Sequence, residues 1–306
     1  MAIGDFISAT DYNSIRTKIQ NVMAIGTGNL GYGQTTFSSL VSAGNSVTKA
    51  QWDALRYDIY NAVLHQTGSP PSIATVVVGD VIRYGASQPN FQYDTLADQA
   101  TTNRFDLGTG QFVTEAIGST SFSSSWYQSV SSTTSITFTT AEQARFFFNA
   151  GGKIRFASSR TGGNGEAQNT SWSNLLSGAG TQSFVGGPSG INFFSLTSSF
   201  QTFAEISGSS AYSNNKWRLE ASCNVGNNST GTANIVNFRI TWLDAYTDPP
   251  TGGPFTPGDF PPGDLVDGTL TLTIDQVRPA GFLQPSGTFT TIGPPAPYTI
   301  GAISGS

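Results

Sequence analysis

Two hydrophobic periods divide the chain. In residues 1–110, apolar side chains recur every three to four positions in short segments, which is the spacing of one face of an α-helix. From about residue 111 they alternate with polar residues, as in strands with one buried face. The pattern therefore predicts a helical docking region at 1–110 and a β domain at 111–306. The alternation is clearest in three runs: 217–223, 236–242 and 270–274.

An internal repeat organises the helical region. Tyr12 aligns with Trp52 and Arg16 with Arg56, and a degenerate third copy places Tyr93 at the aromatic position. Each copy brings its aromatic and aliphatic residues onto one face of a helix. The repeat units are about 1–40, 41–78 and 79–110. We predict one helix in each unit: 8–23, 48–64 and 90–102.

The first two predicted helices begin with capping signals. Ser8 is followed three residues later by Asp11, and Thr48 by Gln51, which is the spacing of a capping box. Helices this short need their aromatic faces covered. The faces either pack on one another or lie along a partner, and the pattern leaves both open. In the second case the aromatic residues of the repeat are interface residues: Tyr12, Trp52 and Tyr93.

The strands of the second region are short and separated by Gly- and Asn-rich turns, which is typical of a sandwich or barrel. Residues 145–156 predict a hairpin, with a strand through Phe146–Phe148, a turn at 149–152 and a strand from Ile154. Residues 169–176 predict a short helix. We therefore predict a mainly β fold, an antiparallel β-sandwich or jelly-roll, with a small α-helical N-terminal repeat region.

A proline- and glycine-rich segment interrupts the strands at 247–264, where six prolines and four glycines occur. Such a segment forms neither a helix nor a central strand. It is either a surface loop or an arm that lies on a neighbouring subunit. In the second case Phe255 and Phe260 are its anchors and hence interface residues.

The low content of charged residues indicates which kinds of partner to expect. Only 11% of residues are charged, and the net charge is −5 with 14 Lys and Arg residues, which argues against binding to nucleic acid. Weak repulsion between copies favours assembly. No apolar run reaches the length of a membrane span, and the first residues lack the features of a signal peptide. We expect a protein that is made in a cytoplasm and assembles with copies of itself.

Candidate catalytic residues are few. His65 is the only histidine, and its place at the end of the second predicted helix favours a structural role, as a cation near the helix C-terminus. Cys223 is the only cysteine, and it alternates with core residues, which favours burial. One Cys and one His do not make a zinc site, and the carboxylates form only loose groups such as Asp264 and Asp267. We predict no catalytic residue, no metal and no cofactor.

Several motifs resemble virion structural proteins of tailed phages, especially marine cyanophages. They are structural motifs without a known active site, and the resemblance covers most of the chain. The run at 269–278 and the closing residues 301–306 fit the same resemblance. The four principal motifs are Asp-Tyr-Asn-Ser-Ile-Arg at 11–16, Gly-Tyr-Gly-Gln at 31–34, Gln-Trp-Asp-Ala-Leu-Arg at 51–56, and Phe-Phe-Asn-Ala-Gly-Gly-Lys-Ile-Arg-Phe at 147–156.

The resemblance implies a non-enzymatic component of a phage particle, present in multiple copies and located in a tail fibre, baseplate or neck. Its partners would be other virion proteins and itself. One alternative is a receptor- or carbohydrate-binding module of a tail fibre, which would use exposed aromatic residues; others are a capsid-surface decoration protein and a tailspike hydrolase. The aromatic residues to examine for sugar stacking are Trp126, Tyr127 and Trp172.

Overall fold

A computed structural model describes residues 8–78, 89–246, 265–279 and 298–305. The α-helices are α1 Ala9–Met23, α2 Lys49–Thr67, α3 Pro89–Thr102, α4 Ala141–Asn149 and α5 Ala167–Ala179. The strands are β1 Phe112–Phe122, β2 Ser129–Thr137, β3 Lys153–Thr161, β4 Gln182–Phe184, β5 Gln201–Ser207, β6 Lys216–Cys223, β7 Ile235–Leu243, β8 Thr269–Pro279, β9 Tyr298–Ile300 and β10 Ser304–Gly305.

The chain divides into two compact units that interleave along the sequence. The first unit comprises Met1–Val113, Glu142–Gly152 and Arg278–Pro294. The second comprises Thr114–Ala141, Lys153–Val277 and Pro295–Ser306. Helices α1 to α3 and nearly all of α4 therefore belong to the first unit, and α5 and most of the strands to the second.

The three helices of the repeat form where the pattern predicts them, and the two capping boxes are confirmed. At the start of α1, the Asp11 amide donates to Ser8 Oγ (3.3 Å) and the Ser8 amide to Asp11 Oδ2 (2.8 Å). Thr48 and Gln51 make the same reciprocal pair at the start of α2. Each pair satisfies amide groups that the first helical turn leaves without partners.

The aromatic residues of the repeat pack on one another in the core of the first unit. The Tyr12 and Trp52 rings meet edge to face with centroids 5.4 Å apart, and the Trp52 and Tyr93 rings do so at 5.3 Å. All three side chains are buried by their own chain. Of the two arrangements left open by the pattern, the helices thus adopt mutual packing. We accordingly assign Tyr12, Trp52 and Tyr93 to the core of this unit.

The predicted hairpin at 145–156 is wrong in its first half. Residues 141–149 form α4, because Ala144, Phe147 and Phe148 share one buried helical face. Three consecutive phenylalanines fit either period, and the helix is the one that buries Ala144 together with Phe147 and Phe148 while Phe146 stays half-buried. A turn follows in which Gly151 has φ 83°. The strand in the second half of the prediction is confirmed as β3.

The second unit contains a four-stranded and a six-stranded antiparallel sheet. The strand order of the first sheet is β1-β8-β3-β4. In the second it is β10-β2-β7-β6-β5, and β9 also pairs with β2. The alternating runs in the sequence correspond to β6, β7 and β8, and the short predicted helix corresponds to α5.

Side chains from the two sheets contact each other inside the second unit. Phe156 of β3 lies 4.9 Å from Phe238 of β7, ring centroid to ring centroid, and Phe184 of β4 lies 5.2 Å from Phe238. Trp242 Nε1 of β7 donates a hydrogen bond to Ser158 Oγ of β3 (3.0 Å). Aromatic rings of the two sheets therefore contact each other, and the indole N–H of Trp242 has an acceptor.

At the level of fold class, the structure combines two antiparallel sheets with helices, a mixed α and β composition with substantial β content. The Pro- and Gly-rich segment 247–264, with Phe255 and Phe260, lies outside the described residues. Within the described ranges, no helix has the length and apolarity that crossing a membrane requires.

Trp52→Ala should destabilise the helical unit by about 3–5 kcal/mol, because it removes the ring between Tyr12 and Tyr93 and leaves a cavity. Tyr57→Ala is the matched control on the same helix. Tyr57 is 40% exposed, whereas Trp52 is 2% exposed, so its loss should cost under about 1 kcal/mol. Urea unfolding followed by far-ultraviolet circular dichroism measures both. Equal losses in the two variants would show that the Trp52 ring is not central to the core.

Candidate functional site

Polar side chains on α1 and α2 hold the link between these helices. Asp58 is buried and its carboxylate accepts hydrogen bonds from the amides of Phe37 and Ser38 (both 2.9 Å) and from Ser38 Oγ (2.6 Å). Burial raises the pKa of Asp58, and these three hydrogen bonds oppose the rise. Arg16 Nε donates to the Ser38 carbonyl (3.0 Å). The link is thus fastened to both helices near Ser38.

The repeated arginine makes an equivalent hydrogen bond in the first two repeat units, to the link that follows its helix. As Arg16 bonds to the Ser38 carbonyl, so Arg56 Nε donates to the carbonyl of Ile73, at 3.4 Å, in the link after α2. Asn13 adds a two-way bond to Val41, donating to its carbonyl (2.8 Å) and accepting from its amide (3.0 Å). These contacts explain the repeated motif through packing of the links, without any ligand.

The Gly-Tyr-Gly-Gln motif at 31–34 packs against α4 and the turn after α1. Asn149 Nδ2 donates to the carbonyls of Asn29 and Gly31, both at 2.9 Å. Gly33 has φ 70°, and a Cβ built there would lie 2.4 Å from the Phe146 ring. Two of the four motifs singled out in the sequence, which lie far apart along the chain, therefore meet inside the first unit.

Tyr32 forms the buried centre of this motif contact. Its hydroxyl donates to the Arg104 carbonyl (2.6 Å) and accepts from Gln66 Nε2 (2.9 Å). The same Gln66 nitrogen also donates to the Ala100 carbonyl (2.8 Å). Burial raises the pKa of Tyr32 well above its usual value, so the phenol stays protonated as this donor role requires.

His65 lies in the same region and is neutral. It is 1% exposed, and its Nε2 donates to the Ala150 carbonyl (2.9 Å). Since a carbonyl only accepts, Nε2 carries the proton. Burial lowers the pKa of His65 to about 4. The expectation of a cation at the helix terminus is therefore wrong near neutral pH, whereas the structural role itself is seen in the bond to Ala150.

Cys223 is buried at the end of β6, in agreement with its alternation in the sequence. Its thiol donates to the Val225 carbonyl (3.3 Å). Burial raises the pKa of the Cys223 thiol, so the thiolate needed for nucleophilic chemistry is disfavoured. His65 and Cys223 belong to different units, and each side chain is engaged with a backbone carbonyl of its own unit.

Two of the aromatic residues named for sugar stacking are in the core. Trp126 and Trp172 are buried, and their rings meet at 5.1 Å, so neither presents a face to a ligand. Tyr127 is half-buried.

An open pocket of about 260 Å³ lies between α5 and the end of β5. It is lined by small polar residues around Leu175 and Ile206.

Ion pairs join neighbouring strands on one face of the six-stranded sheet. Glu205 of β5 accepts from Lys216 and Arg218 of β6, both at 2.6 Å, and these bonds lower the pKa of Glu205. Glu220 of β6 pairs with Arg239 of β7 at 2.7 Å. Each of these carboxylates is paired with a cation on the neighbouring strand. The opposite charges therefore offset each other, and the face has no strong electrostatic field of one sign.

Metal ligands do not gather in the part of the chain that the structure describes. There, no group of three or more His, Cys, Asp or Glu side chains lies close enough together to hold a metal ion. Asp267 instead accepts from Ser125 Oγ (2.7 Å) and Asn164 Nδ2 (2.8 Å), while Asp264 lies outside the described ranges.

Sequence reasoning missed Asp58, Gln66 and Asn149. A signal for Asp58 was present, because it lies three residues after Leu55 and next to Ile59, inside the apolar stripe of α2. A carboxylate at such a position needs hydrogen-bond donors, and the link provides them. No comparable signal pointed to Asn149, since its partners are backbone carbonyls far away in sequence.

Gly33→Ala should destabilise the first unit more than Gly44→Ala. Both glycines have positive φ, 70° and 83°, so alanine costs about 1–2 kcal/mol of backbone strain at either position. Only Gly33 faces a ring, since nothing lies within 4 Å of a Cβ at Gly44. Overpacking should add about 1–3 kcal/mol at Gly33. Thermal melting compares the two, and equal melting temperatures would contradict the close contact with Phe146.

The His65 pKa predicts a loss of stability in mild acid. Above about pH 6.5, the unfolded value, His65 is neutral in both states; between pH 6.5 and 4 only the unfolded chain takes up the proton. At pH 5 the wild type should lose about 2 kcal/mol relative to His65→Gln, whose amide keeps the donor to Ala150. Urea unfolding at pH 7.5 and 5 measures this difference. A difference independent of pH would contradict the buried neutral histidine.

Comparison of the chain with protein-family models, with curated proteins and with solved structures finds no match. The resemblance of the four motifs to virion proteins of tailed phages accordingly stays an interpretation of the sequence. What the structure adds is the place of those motifs, which lie in buried contacts of the first unit and, for the last residues of the fourth motif, in β3.

Proposed function

We propose that the chain is a non-enzymatic structural component of a tailed-phage virion, present in multiple copies and associated with a tail fibre, baseplate or neck. In this proposal the helical unit docks the protein and the β unit projects from the particle. The partners are other virion proteins and further copies of the chain.

The observation that supports the proposal most is the use of the motif residues. Arg16, Tyr32 and Asn149 all bind backbone carbonyls of their own unit, and Trp52 fills its core. The residues that carry the resemblance are therefore occupied in holding a rigid scaffold. This is the role that a structural motif has in an assembly protein, whereas catalytic residues line a cleft.

Exposed aliphatic side chains on the first unit give further support. Val78 is 86% exposed, Leu40 67% and Ile25 51%. Single exposed apolar residues are ordinary on a monomer, but a large aliphatic side chain this open gains free energy when a neighbour covers it. Together with a charged fraction of 11%, these residues favour a surface that operates in contact with other proteins.

We further propose that the two sheets of the second unit form an antiparallel β-sandwich. The contacts among Phe156, Phe184 and Phe238 connect the inner faces of the two sheets. The hydrogen bond from Trp242 to Ser158 joins the same faces. Two sheets packed face to face make a compact module, which suits a part that projects from a particle.

Mass spectrometry of purified phage particles, calibrated with isotope-labelled peptides, tests the proposal. We expect several copies per particle, and immunogold labelling should place them on the tail or neck. Deleting residues 249–262 in the phage genome should lower that copy number if this segment is an intersubunit arm, while a thermal melt of the purified variant should show a folded β unit.

Four outcomes discriminate among the proposals. Absence of the chain from purified particles would overturn the virion assignment. Normal incorporation of the deletion variant would show that 249–262 is a surface loop and leave the assignment intact. Labelling at the tail tip together with binding to host glycans would favour the receptor-binding alternative, and labelling across the head would favour a capsid-surface protein.

A further inference from the structure

The edge of β2 is covered by the last part of the chain. We call residues 298–305, which include β9 and β10, the C-terminal strip. It runs antiparallel to β2, with Thr299 opposite Ser135, Ile300 opposite Thr134 and Ser304 opposite Ser131. On its other side β2 pairs with β7 along its whole length. Without the strip, β2 would be a bare edge strand.

The strip is held by a small number of contacts. β9 contributes three residues and β10 two. Between them the Gly301 amide donates to the Thr133 carbonyl (2.9 Å), and Ser132 Oγ donates to the Gly301 carbonyl (2.8 Å). Ile303 is the apolar anchor at 5% exposure. These contacts occupy only a few residues, so their total free energy is modest and the strip is able to detach.

Ile300 adds a contact with the other sheet. A Cβ built on Gly118 of β1 would lie 2.7 Å from Ile300 Cδ1, so this side chain lies directly over the glycine. The surface that receives the strip is therefore defined by the β2 edge and by Gly118. All of it belongs to the second unit, and it would receive the same segment from any copy of the chain.

The chain leading to the strip is long. β8 ends at Pro279 and the strip begins at Tyr298, and residues 280–297 between them include four prolines. Chain geometry alone lets a connection of this length span up to about 60 Å. That distance is larger than the width of a domain of this size, so the connection does not tie the strip to its own β2.

We propose that in the assembled state the C-terminal strip of one copy pairs with β2 of a second copy, in the register seen within one chain. Exchange replaces each contact by an identical one, so it costs little free energy. Pairing within a chain is favoured only by the effective concentration of a covalently linked segment, which is on the order of millimolar. Copies held side by side in a particle reach or exceed that concentration, whereas a dilute monomer does not.

The proposal deepens the proposed function, because it names a second copy as the partner and rests on assembly in multiple copies. Covering bare strand edges prevents uncontrolled aggregation, and exchange keeps every β2 covered while it links copies. The kind of interaction is strand addition, in which main-chain hydrogen bonds give the affinity and side chains such as Ile300 and Ile303 set the register.

Cysteine cross-linking tests the exchange in purified protein. In a Cys223→Ala background, which has no other cysteine, we place Ser135→Cys and Thr299→Cys either in one chain or in two separate chains. The chains are unfolded, mixed, refolded and oxidised. At about 1 µM the double variant should give a cross-linked monomer. At about 1 mM, the mixture of single variants should give a dimer-sized product on a non-reducing gel.

Ser131→Cys with Thr299→Cys is the matched control, because position 131 lies about 13 Å along the strand from the partner of Thr299. Exchange in register predicts strong dimer formation with Ser135→Cys and little with Ser131→Cys. Equal yields would indicate random collision and overturn the proposal. So would a double variant that cross-links within the chain while the mixed single variants form no dimer at any concentration.

The test separates this proposal from the proposed function. A dimer in the purified protein, with the chain absent from phage particles, would keep strand exchange and reject the virion role. A chain present in particles that forms no cross-linked dimer would reject exchange and keep the virion role.

Discussion

The edge-to-face contacts among Tyr12, Trp52 and Tyr93 are the interaction on which the first unit depends. Its repeat helices contain 15, 19 and 14 residues, lengths at which an isolated helix is marginal in water. Aromatic rings bury a large area for each residue and restrict the geometry of their neighbours. The three rings, one from each helix, therefore drive the packing and also fix the positions of the helices along one another.

Polar contacts hold the links between the helices. Apart from a short 3-10 helix at Thr27–Asn29, the described residues of the links between these helices form neither helix nor strand, and their backbone groups need partners. Asp58, Arg16 and Arg56 provide them from the helices, and Asn149 provides them from α4. Asp58, Arg16 and Asn149 are buried and Arg56 is half-buried, and each of them bonds to backbone groups of a link, which favours one conformation of the links over others. The sole histidine belongs to the same system and is uncharged.

Local patterns predicted the local structure well and the long-range contacts poorly. Capping spacing located Ser8 and Thr48, and alternation located β6 to β8, because each signal lies within a few residues. The Phe146–Phe148 run was misassigned, since three adjacent apolar residues satisfy either period and tertiary packing decides. The partners of Asn149 and the pairing of the C-terminal strip join distant segments, and no local pattern encodes them.

The interleaved order of the two units has a consequence for synthesis on the ribosome. Helices α1 to α3 emerge first, but the segment Glu142–Gly152 of the same unit follows only after β1 and β2. Until then the carbonyls of Asn29 and Gly31 lack their amide donor and the surface of Gly33 lacks its ring. The nascent first unit is thus an unfinished intermediate that waits for a distant segment, and a fragment cut after Val113 would remain in that state.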